Sequence, residues 1–241
     1  MRTIALYTTE TMADWEYAYL TTQIVGAEQL KPGRFRLLLV GDGLEPVRTL
    51  GNLPLTPEAD LDALDALADD GSLAALVIPG GDHYATGHDR LIEAVGRLVD
   101  QEIPVAAICG ATLLLAHGGF LDERRHTSNA ASYLGASGYR GGAHYVETPV
   151  VTDRGVTTAS GIHSVPFTAE VMRITGLVPN AMADTWEQVF LSAREDDYMA
   201  LMEATAAWQN SKKDTGQRLP PQDNESLRHT PGISGKPRPL D

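Results

Sequence analysis

Four short apolar runs dominate the hydrophobic pattern of the chain. They are TIALYT (3–8), FRLLLV (35–40), LAALVI (73–78) and PVAAI (104–108). A strand that is buried on both faces of a sheet shows a nearly continuous apolar run rather than an alternating one. The pattern therefore predicts four strands of a mainly parallel sheet.

Helical spacing fills the gaps between these runs, over residues 14–30, 88–102 and 110–117. In the second of these segments the apolar positions share one stripe of a helix, which holds Leu91, Ala94, Val95 and Leu98. Alternation of strand and helix indicates an α/β fold, with helices on both faces of the sheet and right-handed crossovers.

Two further segments have the pattern of paired strands. Residues 45–57 predict a hairpin with a turn at Gly51-Asn52, and residues 144–161 predict two strands joined by a turn at 153–155. From residue 164 onward the helical pattern returns.

The last segment, residues 211–241, differs in composition from the rest of the chain. It contains five of the fourteen prolines and no aromatic residue. Such a segment cannot bury enough apolar surface to offset its ordering entropy, so we predict one domain over residues 1–210 and a disordered tail. A role in binding a partner or bridging subunits is the alternative.

Composition and charge exclude several classes of protein. A net charge of −13 disfavours binding to nucleic acids and to anionic membranes. The single cysteine cannot form an internal disulfide, and no apolar run reaches the length of a membrane span or resembles a signal peptide. We therefore expect a cytoplasmic protein of ordinary globular composition.

The single cysteine, Cys109, follows the fourth apolar run and precedes a helix. Small residues stand two positions on either side of it, Ala107 and Ala111, as in a nucleophile elbow. The positive end of the helix is expected to lower the pKa of the thiol. The alternative is a buried cysteine that acts as a small apolar side chain.

Two other segments place candidate chemistry at the same edge of the sheet. Gly80 and Gly81 follow the third apolar run, where their amides, with that of Gly110, could form an oxyanion hole. Glu16 follows the first apolar run, in the first turn of a helix that Asp14 could cap. A carboxyl group there either complements the helix dipole or moves protons to and from the thiol.

These segments together resemble the DJ-1/PfpI (ThiJ/PfpI) superfamily, within the class I glutamine-amidotransferase-like fold. They occur in the order found in that family and cover residues 1 to about 180. The matching parts are Glu16, IPGGD (78–82), PVAAICGAT (104–112), RRHTSN (124–129) and GAHYVETPVVTDRGVTTASG (142–161).

The resemblance implies a flavodoxin-like three-layer sandwich that forms a homodimer or a higher homo-oligomer. It implies Cys109 and Glu16 as the reactive pair. A histidine near the site varies among members, and the candidates here are His126 and His163. The other histidines lack the spacing of metal ligands, so we expect neither a metal nor a cofactor.

Functionally, the resemblance favours a cysteine-nucleophile enzyme that acts on a small electrophilic metabolite, as a glyoxalase-like lyase or hydratase or as a hydrolase. The peptidase-like branch has histidine after the cysteine, where this chain has Gly110. A glutaminase triad needs His-x-Glu, whereas this chain has His144 and Glu147. A non-enzymatic redox or stress-response protein and a tailoring enzyme of a biosynthetic pathway remain alternatives.

Overall fold

The computed structural model describes residues 1–135 and 137–211. The predicted tail, except for its first residue, Ser211, lies outside the described residues. Within them, no helix has the length and apolar character needed to cross a membrane.

The described residues alternate strand and helix as predicted. The strands are β1 (Arg2–Thr8), β2 (Phe35–Gly41), β3 (Val47–Arg48), β4 (Pro54–Leu55), β5 (Ala59–Asp60), β6 (Leu73–Ile78), β7 (Val105–Ile108), β8 (Val150–Asp153) and β9 (Val156–Ala159). The helices are α1 (Asp14–Leu30), α2 (Ala63–Asp69), α3 (Asp89–Asp100), α4 (Ala111–His117), α5 (Ala131–Gly135), α6 (Ser164–Thr175), α7 (Asn180–Ser192) and α8 (Glu195–Asn210), with a 3₁₀ turn over Gly141–His144.

Seven strands form one sheet in the order β5-β2-β1-β6-β7-β9-β8. Every pair in it is parallel except β8 with β9, so the expectation of a mainly parallel sheet is confirmed. The four strands predicted from continuous apolar runs lie side by side at its centre. Their carboxyl ends therefore meet at one edge.

Apolar side chains on the two faces of the sheet belong to two separate cores. In β1, Ala5 and Tyr7 pack on the side of α2, α3 and α4, while Ile4 and Leu6 pack on the side of α1, α6 and α7. The predicted apolar stripe of α3 is fully buried. The three-layer sandwich is thus confirmed, with about 25 cal/mol of stabilisation for each Å² of buried apolar surface.

The structure corrects the extent of one predicted hairpin. Residues 144–161 do contain two strands and the predicted turn, but the first strand begins only at Val150 and His144 ends the 3₁₀ turn. Pro149, which has no N–H to donate to a ladder, immediately precedes that strand. The hairpin over 45–57 is confirmed as β3 and β4, which form their own two-stranded sheet.

Candidate active site

Cys109 lies in the sharp turn between β7 and α4. Its φ of +57° is in the left-handed region, which is costly for a residue with a side chain. Backbone contacts hold this conformation: its N–H donates to the Ala159 carbonyl at 2.9 Å, and its carbonyl accepts from the Thr112 hydroxyl at 2.6 Å. The elbow expected from the sequence is therefore present.

Two glycines let neighbouring backbone approach the elbow closely. A Cβ on Gly80 would lie 2.7 Å from the Cβ of Cys109 and 2.7 Å from Oε2 of Glu16. A Cβ on Gly161 would lie 2.8 Å from Sγ of Cys109 and 2.8 Å from Oε1 of Glu16. Sγ and Oε1 therefore face the same glycine, and the thiol and the carboxyl group are neighbours.

Glu16 is fully buried in the first turn of α1. Its Oε2 accepts a hydrogen bond from the N–H of Gly80 at 2.6 Å. Within the described residues, the donor available to Oε1 is the thiol of Cys109. Burial raises the pKa of Glu16 to about 7, although the bonds from Gly80 and Cys109 act in the opposite direction. Its carboxyl group therefore exchanges protons near neutral pH.

The thiol of Cys109 does not show the lowered pKa expected from the sequence. Burial, and secondly the charge of Glu16, raise its pKa to about 11, against hydrogen bonds from Asn129 and the Gly110 N–H. Neutral donors at the start of α4 do not outweigh desolvation and an adjacent carboxylate. Between about pH 7 and 11 the pair therefore holds one proton and carries one negative charge.

The pair opens into a pocket of about 690 Å³. Trp15 is 51% exposed and Ile162 is 87% exposed, so the rim is apolar. The described residues that line this pocket are Trp15, Glu16, Cys109, Asn129, Ser160, Gly161 and Ile162. None of these residues is a lysine, an arginine or a histidine. The pocket thus combines one buried acid and one thiol with neutral walls.

The three glycines proposed for the oxyanion hole have different positions. The N–H of Gly80 is bound to Glu16, so this residue positions the acid and its amide is not free for substrate. Gly110 and Gly81 are in direct backbone contact, because a Cβ on Gly110 would lie 2.5 Å from the Gly81 carbonyl oxygen. Oxyanion binding by Gly81 and Gly110 stays a prediction.

The two candidate histidines are engaged elsewhere. The ring of buried His126 lies 2.7 Å from the Arg124 carbonyl and 3.2 Å from the Tyr139 hydroxyl, and burial lowers its pKa. Both of its nitrogens thus have other partners, and His126 is not among the described residues that line the pocket. Nδ1 of His163 lies 2.6 Å from the hydroxyl oxygen of Ser160. Ser160 lines the pocket, whereas His163 is not among the described lining residues.

Asn129 is a site residue that the sequence did not reveal. Its Nδ2 donates to Sγ of Cys109 at 3.3 Å, and its Oδ1 accepts the N–H of Gly161 at 2.9 Å. It belongs to the same RRHTSN motif as His126, and that motif was the only available signal. No group of three metal-binding side chains occurs in residues 1–135 and 137–211.

Comparison with known proteins gives a consistent result. The sequence profile of the DJ-1/PfpI family matches residues 2–174. The chain is 32% identical over 206 residues to the uncharacterised protease YoaZ of Bacillus subtilis (strain 168), covering 83% of this chain and 96% of that protein.

Solved structures have the same fold. A thiJ/pfpI family protein from Bacillus anthracis superposes with a TM-score of 0.74 at 30% identity, covering 85% of this chain and 98% of that one. The DJ-1 superfamily protein Atu0886 from Agrobacterium tumefaciens gives 0.67 at 36% identity, covering 80% and 99%. The profile match, the full-length relatives and the elbow geometry agree: the chain belongs to the DJ-1/PfpI family.

Proposed function

We propose that this protein is a cofactor-independent enzyme in which Cys109 attacks a small electrophilic metabolite and Glu16 moves the protons. The observation that carries the proposal is the buried carboxyl group of Glu16, which has a pKa near 7 and faces the thiol. A group with this pKa can both accept and return a proton at neutral pH.

The first step follows from the neighbouring positions of the two acids. Glu16 as carboxylate takes the proton of the Cys109 thiol while Sγ forms a bond to the carbonyl carbon, whose π electrons move to oxygen. The amides of Gly81 and Gly110 are the candidates to hold this oxyanion. Glu16 then returns the proton to the oxygen, and a hemithioacetal results.

A 2-oxoaldehyde allows the reaction to continue without an external oxidant or reductant. Glu16 can remove the proton of the former aldehyde carbon, and the resulting enediol receives that proton at the adjacent carbon while the hydroxyl proton passes to the adjacent oxygen. The adduct thereby becomes a thioester of a 2-hydroxy acid. Water hydrolyses the thioester and Cys109 is regenerated. With an ester or amide, Glu16 instead gives the proton to the leaving oxygen or nitrogen and an alcohol or amine departs. Water then hydrolyses the thioester that remains on Cys109, and the protein acts as a hydrolase.

The charge of the site favours an uncharged substrate. The Cys109–Glu16 pair carries one negative charge above about pH 7, and no cationic side chain is found among the described residues that line the pocket. An anionic substrate would be repelled at short range. Aldehydes and neutral esters are therefore favoured over carboxylates.

Peptide hydrolysis is the second candidate, because YoaZ is named as an uncharacterised protease. Against it, protonation of an amine leaving group normally uses an imidazole, and within the described residues neither His126 nor His163 forms a hydrogen bond with the thiol. Gly110 also occupies the position that is histidine in the peptidase-like branch.

The proposal is tested by assaying the purified protein with 2-oxoaldehydes, nitrophenyl esters and a fluorescent casein. We expect turnover of a small electrophile, which Cys109→Ser abolishes and Glu16→Gln reduces by about a hundredfold or more. Hydrolysis of casein alone would favour the peptidase. If no electrophile turns over while peroxide oxidises Cys109 stoichiometrically, the enzyme proposal is wrong and the redox alternative is supported.

A second assay examines the charge preference. We compare the ratio of the alkylation rate with iodoacetamide to the rate with iodoacetate. For Cys109 this ratio should be about tenfold higher than for a free cysteine peptide. Glu16→Gln should narrow this difference. A rate ratio equal to that of the free peptide would show that the pocket does not discriminate against anions.

A further inference from the structure

Asn129 contacts the sulfur of Cys109 directly, although asparagine has no titratable side chain. Its side chain is exposed and lines the pocket, with Nδ2 at 3.3 Å from Sγ of Cys109. The Gly161 N–H, which needs an acceptor, lies 2.9 Å from Oδ1. This contact sets the orientation of the amide, because only the oxygen can accept from Gly161. The NH₂ group is thereby directed at the sulfur.

We propose that Asn129 is a further catalytic residue of this site, the neutral hydrogen-bond donor that stabilises the Cys109 thiolate as it forms. This inference rests on the proposed function, in which Glu16 removes the thiol proton. The residue would act as the thiolate forms during the attack and again when sulfur leaves the adduct.

The need for such a donor follows from the charges around the sulfur. The titratable groups that interact electrostatically with it are Glu16 on α1, Tyr84 after β6 and Tyr133 on α5, all of which are neutral or anionic. No cation faces it within the described residues. A thiolate there therefore depends on neutral N–H donors. These donors are the side-chain amide of Asn129 and the backbone amide of Gly110.

A loop-positioning role is the competing explanation. The carbonyl of Gly161 accepts the indole N–H of Trp15 at 3.0 Å, so Asn129 and Trp15 together hold the loop that covers the reactive pair. If Asn129 acted only through this loop, loss of the Trp15 bond would affect the thiol to a similar extent.

The experiment measures the rate of alkylation of Cys109 by iodoacetamide from pH 6 to 11 in the full chain. Asn129→Ala removes the donor without adding charge, and Asn129→Asp keeps an acceptor for Gly161 but replaces the NH₂ with an anionic oxygen. We expect the alkylation rate at pH 8 to fall about tenfold in Asn129→Ala and further in Asn129→Asp. In both variants the rate should rise at a higher pH than in wild type.

Two controls separate the explanations. Asn180→Asp, an exposed position at the start of α7, adds the same charge elsewhere and should leave the profile unchanged. Trp15→Phe removes the other loop contact but leaves the donor. An equal displacement in Trp15→Phe and Asn129→Ala, or a wild-type profile in Asn129→Asp, would overturn the proposal; circular dichroism verifies that each variant is folded.

Alkylation does not require turnover, so the two proposals can fail separately. A displaced profile in a protein that turns over no electrophile would refute the proposed function and leave the donor role of Asn129 in place. Turnover that requires Cys109 and Glu16 but is unaffected by either Asn129 substitution would refute only the role of Asn129.

Discussion

At the scale of single residues, the central feature is a fully buried carboxyl group beside a partly buried thiol, with one negative charge shared between them above about pH 7. Desolvation is the first cause of the raised pKa of both Glu16 and Cys109. A site built to keep a permanent thiolate would surround the sulfur with cations. This one keeps the thiol protonated at neutral pH and places a carboxyl group with a pKa near 7 beside it. In the reaction that we propose, the thiolate forms only as the substrate is attacked.

The raised pKa of Glu16 has a consequence for stability. Because its folded pKa of about 7 exceeds its ordinary value of 4.5, Glu16 favours the folded state below pH 4.5, and that contribution is lost as the pH rises to 7. We expect wild type to lose up to about 3 kcal/mol of unfolding free energy relative to Glu16→Gln over this range. Urea unfolding of both proteins at pH 4.5, 6 and 8 measures the difference.

The matched control is Glu203→Gln, at an exposed position of α8. Its unfolding free energy should follow that of wild type at each pH. Parallel curves for wild type and Glu16→Gln would show that folding does not raise the pKa of the buried carboxyl group.

At the scale of elements, the site is the junction of four strand ends. β1 leads to Glu16, β6 to Gly80, β7 to Cys109 and β9 to Gly161. Because these strands are neighbours and parallel, their carboxyl ends converge at one edge, where α/β folds bind ligands. The junction is tight enough that two of the connections require glycine.

Gly161→Ala tests this requirement. The added Cβ would lie 2.8 Å from both Sγ and Oε1, so either the loop or the reactive pair must move. We expect a loss of about 1–3 kcal/mol in the free energy of unfolding and a strong fall in activity, measured by urea denaturation and turnover.

Gly26→Ala in α1 is the control of opposite sign. Nothing lies within 4 Å of its added Cβ, so the higher helix propensity of alanine should stabilise the protein by about 0.5–1 kcal/mol. An equally stable Gly161→Ala protein with full activity would contradict the close approach described at the junction.

At the scale of the whole molecule, the homodimer implied by the family resemblance stays a prediction, and we propose that the β3–β4 hairpin contacts the second copy. Leu50 is 46% exposed and Leu53 is 56% exposed, and the N–H of Leu50 donates to the Met12 carbonyl at 3.0 Å, close to Glu16 in the chain. We expect a homodimer that uses this hairpin.

Sedimentation velocity tests the expectation. Wild type should sediment as a dimer, and Leu50→Asp combined with Leu53→Asp should sediment as a monomer. Val25→Asp, an equally exposed apolar position on α1, should remain dimeric. A monomeric wild type, or a dimer that tolerates both hairpin substitutions, would contradict the use of this surface.

The sequence by itself determined the sandwich, because each buried parallel strand has a continuous apolar run and α3 has a clear apolar stripe. It also determined Cys109, Glu16, Gly80 and Gly110 as neighbours, because residues that follow adjacent parallel strands meet at one edge. Short elements such as β5 and α2 were not predicted, since they have too few residues for a periodic signal.

Only the tertiary structure decided how the candidate residues are used. It joined Gly80 to Glu16, engaged His126 with Arg124 and Tyr139, and brought Asn129 to the sulfur. It also decided the direction of the thiol pKa, which the helix position alone would have lowered. Residue type and order locate an elbow, whereas burial, hydrogen-bond partners and nearby charge depend on long-range packing that no local pattern records.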